Sequence, residues 1–118
     1  MAEQRAALVL REEGRVLLIR RRSNGHTHFV FPGNALQPGG TPADAAEREA
    51  RDELGVRVVL GPRLLVEEFS GETVHYFSAL IVGGELGAGT SEPEWFDVEQ
   101  LPHYDVRPRT LAAILTGG

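Results

Sequence analysis

Apolar residues 6–10 (AALVL) are followed by the polar stretch REEGR, then by VLLI at 16–19 and three arginines. Two apolar runs around a glycine-containing polar turn predict a β-hairpin. SNGHTH (23–28) reads as a loop, and FVF (29–31) as a short strand that stops at Pro32-Gly33. NALQPGGTP (34–42) is a second loop, rich in Gly and Pro. A helix then starts with Thr41 as N-cap, Pro42 at its first position and Asp44 three residues after the cap, and it stops at Gly55. Within it Ala46, Ala50 and Leu54 recur every four residues, a narrow stripe of mostly small side chains that predicts close packing. The β-branched and aromatic runs at 56–69 and 73–83, separated by SGE, predict a long hairpin. GGELGAGTS (83–91) is loop-like, Trp95 and Phe96 precede a turn, and RPRTLAAILT (107–116) is a closing helix with Pro108 near its start. Strands outnumber helices, and the helix over 42–54 sits between strand pairs. The expected class is α+β, a mixed β-sheet packed between helices.

Composition narrows the function. With 118 residues and 42% apolar content the chain suits one domain over residues 1–118 with one core. A net charge of -5 argues against a nucleic acid polymer as partner, although free nucleotides remain available as ligands. The absence of Cys excludes disulfides, thiolate nucleophiles and Cys-based zinc sites. All twelve basic residues are Arg, so Schiff-base chemistry and a P-loop lysine are excluded too. No apolar run reaches the roughly 18 residues of a membrane span, and the N-terminus has no signal-peptide pattern, so the expected location is cytoplasmic with no membrane partner. Oligomeric state, a homodimer included, is left open.

The helix carries unusual charge. Glu47, Glu49, Asp52 and Glu53 lie close together, and α-helical spacing puts Glu49, Asp52 and Glu53 on one face. Like charges at that spacing destabilise a helix unless a cation lies between them, and a hard divalent ion such as Mg2+ takes carboxylate oxygens while keeping waters for substrate phosphates. Arg48 and Arg51 flank the cluster, and the ordinary reading of such a face is solvated acids held by these arginines.

Context favours the metal. FPGNALQPGGTPADAAEREARDELGV resembles the Nudix box, G-x5-E-x7-R-E-U-x-E-E-x-G-U with U aliphatic, preceded by Phe-Pro-Gly. Arg48, Glu49, Glu53, Gly55 and Val56 match in register, Ala50 stands in for U, and Asp52 replaces a Glu. The box covers 34–56, and the strands before FPG together with WFDVEQLP (95–102) extend the likeness over nearly the whole chain. The resemblance implies the α/β/α sandwich of the Nudix (MutT-like) hydrolases, and metal-dependent hydrolysis of the diphosphate linkage of a nucleoside diphosphate derivative. A compact chain suits a small nucleotide or nucleoside triphosphate. It further implies Glu49, Asp52, Glu53 and the Gly33 carbonyl as ligands of Mg2+ or Mn2+. Glu49 would also activate water, and Arg48 would hold a glutamate by an ion pair.

Two fixed positions of the box differ: Asn34 replaces its first Gly and Gly40 its first Glu. Asn34 suits a left-handed turn, whereas Gly40 removes a carboxylate. Gln37 also stands where many members carry Glu. These departures leave an alternative, a catalytically weak or inactive domain that binds a nucleotide metabolite as a sensor or interaction module. Outside the box, Arg20 and Arg22 share one side of a strand end and suit phosphate or ribose, with Arg21 on the other side. Glu92 and Glu94, before Trp95, stand where relatives carry a further acid that binds metal or acts as base, and with Asn34 they join Arg20 and Arg22 as candidates for contact with substrate. Glu67 and Glu68 alternate faces, so that one can line a cleft. His26 and His28 are weak candidates for a transition metal, and Tyr76 is a candidate for base stacking or sheet packing.

Overall fold

The computed structural model describes residues 3–117. Its central strand shows why the first apolar run does not alternate with polar residues. In β1 (Glu3–Glu12), Ala6, Leu8 and Leu10 enter one core while Ala7 and Val9 enter another on the opposite face. A strand covered on both faces needs apolar residues on both. β2 (Arg15–Ser23) repeats the arrangement, with Leu17 and Ile19 on the first side and Val16 and Leu18 on the second.

The hairpin joining them turns on Glu13 and Gly14, both with positive φ, the backbone of a type I′ turn. Asn24-Gly25 and Ser70-Gly71 make the same turn in the two later hairpins. β1 and β2 pair only beside their turn, at Arg11↔Val16 and Glu12↔Arg15, and then diverge. β1 continues between β6 (Glu72–Gly84), which is parallel to it, and β4 (Gly33–Ala35), which is antiparallel. β5 (Val56–Phe69) lies outside β6 with bulges near Arg57 and between Leu60 and Leu65. β2 continues between β3 (His26–Val30) and β7 (Pro93–Asp97), and β8 (Val106–Arg107) runs parallel to β3.

The acidic helix begins as α1 (Pro42–Glu49). The Thr41 hydroxyl accepts from the Asp44 amide at 3.1 Å, and the Asp44 carboxylate accepts from the Thr41 amide at 3.5 Å. Ala45, Ala46, Ala50 and Leu54 are fully buried against β1, β2 and β6, and the small side chains let the helix lie close to the sheet. The second face is covered by a 3-10 turn (Val98–His103) and by α2 (Arg109–Thr116), which bury Leu101 and Leu111 against Val9, Leu18 and Phe29. The mixed sheet packed between helices, an α/β/α sandwich, is therefore the fold.

Three local expectations are corrected. Residues 26–28 are strand, because the chain reverses at Asn24-Gly25 and pairs at once with β2, Arg21 facing His28. Gly33–Ala35 is likewise strand, recruited by the free edge of β1. The helix is α-helical only as far as Glu49. From Ala50 to Leu54 it widens into a π turn closed by the Gly55 amide on the Ala50 carbonyl, five residues back.

Candidate functional site

The π turn decides which carboxylates meet. On an α-helix Glu49 has both Asp52 and Glu53 on its face. A wider turn keeps i+4 over i but swings i+3 away. Accordingly the Glu53 charge acts on Glu49, whereas Asp52 is turned to solvent, its carboxylate 3.3 Å from Arg51 Nε. Among the described residues no three His, Asp or Glu side chains stand close enough together to hold a metal ion. The three-carboxylate convergence read from the sequence is thus a pair.

Glu49 is buried, 3% exposed, and its Oε1 has no hydrogen-bond partner. Burial, reinforced by the Glu53 charge, pushes its carboxyl up to about 7, against the opposing charges of Arg21, Arg5 and Arg48. Glu53 is held the other way. Its Oε2 accepts from the hydroxyls of Thr90 and, at 2.8 Å, Ser91, and these two bonds keep it below the ordinary carboxylate range. The two neighbouring carboxyls are thus driven apart, Glu49 towards its protonated form and Glu53 towards its ionised one.

Arg48 forms no ion pair with a glutamate among the described residues. Its Nη2 donates to the Ala35 carbonyl at 2.7 Å, tying α1 to β4. Asn34 is not left-handed either: it lies in β4, and its Oδ1 accepts from the Ala35 amide at 2.9 Å. Gly33 pairs with Ala7 of β1 beside the mouth of a large cleft.

Of the arginines on β2, Arg20 is engaged in a two-bond pair with Glu94, Nε to Oε2 and Nη2 to Oε1 at 3.0 Å each, with its guanidinium over the Phe29 ring. Two residues expected to meet substrate therefore meet each other. Arg21 points to the opposite side, where its charge acts on Glu49 and Glu53. Alternation could have found it, since Leu17, Ile19 and Arg21 fall on the face that α1 covers. Glu92, with Thr90, Ser91 and Arg21, lines a smaller recess of ≈ 400 Å³ beside Glu53.

The larger cleft, ≈ 1000 Å³, runs between β1, β6 and the start of α2. Five arginines line it, Arg5, Arg21, Arg22, Arg107 and Arg109, against two acids, Glu67 and Glu72. Among the described residues Arg21, Arg22 and Arg109 are in no ion pair. A chain with net charge -5 thus carries a local excess of positive charge here. Phe31, Phe69 and Tyr76 supply ring surface. Tyr76 packs edge-on against Phe31 with ring centres 6.1 Å apart, and burial with the Glu67 charge pushes its hydroxyl up to about 12. Glu67 accepts from the Thr110 hydroxyl at 2.6 Å, fixing α2 to the cleft, while Glu68 is exposed. His26 Nε2 donates to Asp105 Oδ2 at 2.8 Å, and Arg107 holds the same carboxylate; among the described residues no metal cluster forms there.

The NUDIX domain model matches residues 2–114. An ADP-ribose pyrophosphatase of Methanocaldococcus jannaschii is 31% identical over 103 residues, covering 80% of this chain and 61% of the relative. The chain thus spans less than two thirds of that protein. An oxidized purine nucleoside triphosphate hydrolase of Mus musculus is 32% identical over 108 residues, 86% of this chain and 69% of the relative. A structure from work on MutT of Aliivibrio salmonicida and Vibrio cholerae superimposes with a TM-score of 0.81 at 14% identity, over 98% of this chain and 97% of that one, a likeness of fold. With a family model that covers nearly every residue and the box helix in its expected place on the sheet, this chain belongs to the NUDIX family.

Proposed function

We propose that this chain hydrolyses the diphosphate linkage of a small free nucleotide, with a divalent cation held at Glu49 and Glu53. The observation that carries the reading is the buried Glu49 Oε1, without a partner, beside a second carboxylate and under the charges of Arg21 and Arg5, two of the arginines that line the large cleft. A buried carboxylate oxygen with nothing to accept from is an unsatisfied group that a cation would satisfy. The donors are all oxygen, and two carboxylates with waters and substrate phosphates suit Mg2+ or Mn2+. Such a cation, when bound, supplies charge neutralisation for the diphosphate and makes water more acidic.

The chain's own residues do the rest. Arg21, reaching both the carboxylate pair and the cleft, orients the phosphate nearest the helix, and Arg22 and Arg109 hold charge further along. Phe31, Phe69 and Tyr76 offer ring surface to a base. The Glu49 carboxylate, which would lie beside both the cation and its water, is the group placed to take a proton from that water. Arg48 acts indirectly by fixing α1 to β4, and Gly33 is the backbone candidate beside the site. Relatives named for ADP-ribose and for oxidized purine nucleoside triphosphates support a nucleotide substrate.

The test is a panel of nucleoside triphosphates and nucleoside diphosphate derivatives incubated with Mg2+ or Mn2+, following phosphate and pyrophosphate release. Turnover that requires the cation and falls at least about a hundredfold in Glu53→Gln supports the reading. A second reading, ligand binding without turnover, is favoured by Asp52 facing away and by the missing acid at Gly40. Thermal stabilisation by the same nucleotides with no product would establish it instead.

A further inference from the structure

The loop between β6 and β7 does more than connect strands. Its amides at Glu85, Gly87, Thr90 and Ser91 donate to the carbonyls of Gly55, Leu54, Asp52 and Glu53, at 2.9 to 3.3 Å. These are carbonyls that the end of a helix leaves without partners. At Gly89 the two backbones are in closest approach: a Cβ there would overlap the carbonyl group of Glu53 itself. The loop therefore cannot slide along the helix, and the hydroxyls of Thr90 and Ser91 arrive at a fixed place. Both donate to the same oxygen, Glu53 Oε2.

From this geometry we infer that Thr90 and Ser91 are positioning residues that saturate Glu53 Oε2 and leave Oε1 as the oxygen offered to a cation. The inference rests on the proposed metal-binding role of Glu53. Nothing in the box itself supplies this control: Arg48 is bonded to Ala35, and position 40 has no side chain. Groups that orient a ligating carboxylate set affinity without touching the metal.

Mn2+ binding to the substrate-free protein, followed by the loss of the free-ion EPR signal, reads the effect directly, alongside kcat and KM at saturating Mn2+. In Thr90→Val with Ser91→Ala, Mn2+ affinity is expected to fall about 10-fold to 100-fold, the range for loss of such partners. The KM for nucleotide at saturating Mn2+ should stay within about twofold, since substrate-binding arginines are untouched. Thr90→Ser and Ser91→Thr, which keep the hydroxyls, should retain wild-type affinity. If the double variant does not fold, the single variants Thr90→Val and Ser91→Ala carry the test, each with a smaller loss. Unchanged Mn2+ affinity in folded variants lacking the hydroxyls, or loss of affinity in the conservative variants as well, overturns the inference alone. A wild-type protein that binds no Mn2+ overturns the metal reading of Glu53, and this inference with it.

Discussion

Glu49→Gln should stabilise the metal-free protein while removing activity. The Glu49 carboxyl is pushed from 4.5 to about 7 because its charged form is buried, without a partner for Oε1, next to Glu53. Its folded-state pKa is raised, so its contribution is fully present below pH 4.5 and is lost as pH rises through about 7. At 1.36 kcal/mol per pH unit the loss approaches about 3 kcal/mol by pH 8, an upper limit because the site can relax or admit water. Gln keeps the shape and has no charge to form. For a chain of this size the variant should melt about 5–12 °C above wild type at pH 8 in EDTA, and above it by only about a quarter of that difference at pH 5. Scanning calorimetry from pH 5 to 8 measures it. Mg2+ should narrow the gap by raising wild type alone, since a ligand of the native state stabilises by mass action. A variant less stable than wild type at pH 8, or a wild type whose melting temperature does not decline over this window, would refute the reasoning.

Gly40→Glu restores the acid that the box lacks. Gly40 is not left-handed, but a Cβ there would sit 3.2 Å from the Gln37 carbonyl to which its own amide donates, so the loop must give by a few tenths of an ångström and the melting temperature should fall slightly. Mg2+ affinity and activity at low Mg2+ should rise; unchanged Mg2+ affinity in the folded variant would show that position 40 does not face the site. Gly89→Ala should separate the loop from the helix end and cost about 2–4 kcal/mol, roughly one per backbone bond lost, read by urea denaturation; an unchanged midpoint would show that the loop is not needed there. Arg21→Gln should raise the KM of a nucleotide substrate about tenfold or more, and in EDTA it should move the Glu49 pKa upward, because an opposing positive charge is gone; a KM equal to wild type together with an unshifted decline of the melting temperature with pH contradicts it. Asp105 is held down to about 2 by Arg107 and His26, so Asp105→Asn should melt lower than wild type above pH 4, with the difference vanishing as pH falls through about 2.

Chemical pattern along the chain determined a good deal by itself. The two-sided apolar runs of β1 and β2 announce a sheet covered on both faces, because only burial on both sides tolerates such continuity. The Thr41-Pro42-Asp44 start, the small-residue stripe and the Gly55 stop are local chemistry, and they place the acidic helix correctly to within its last turn. The box residues name the family for the same reason: their spacing is set by one helix and one loop. What depends on partners from elsewhere in the chain was decided only by the tertiary structure. Arg20 is removed from the site by Glu94, seventy-four residues away, and Arg21 is brought to it by the sheet face that α1 covers. Asp52 leaves the cluster because the helix widens where the loop after β6 takes up its end carbonyls, and Thr90 and Ser91 reach Glu53 through that same contact. Local propensity carries no signal for such long-range pairings, since each residue involved is compatible with many partners until the fold selects one.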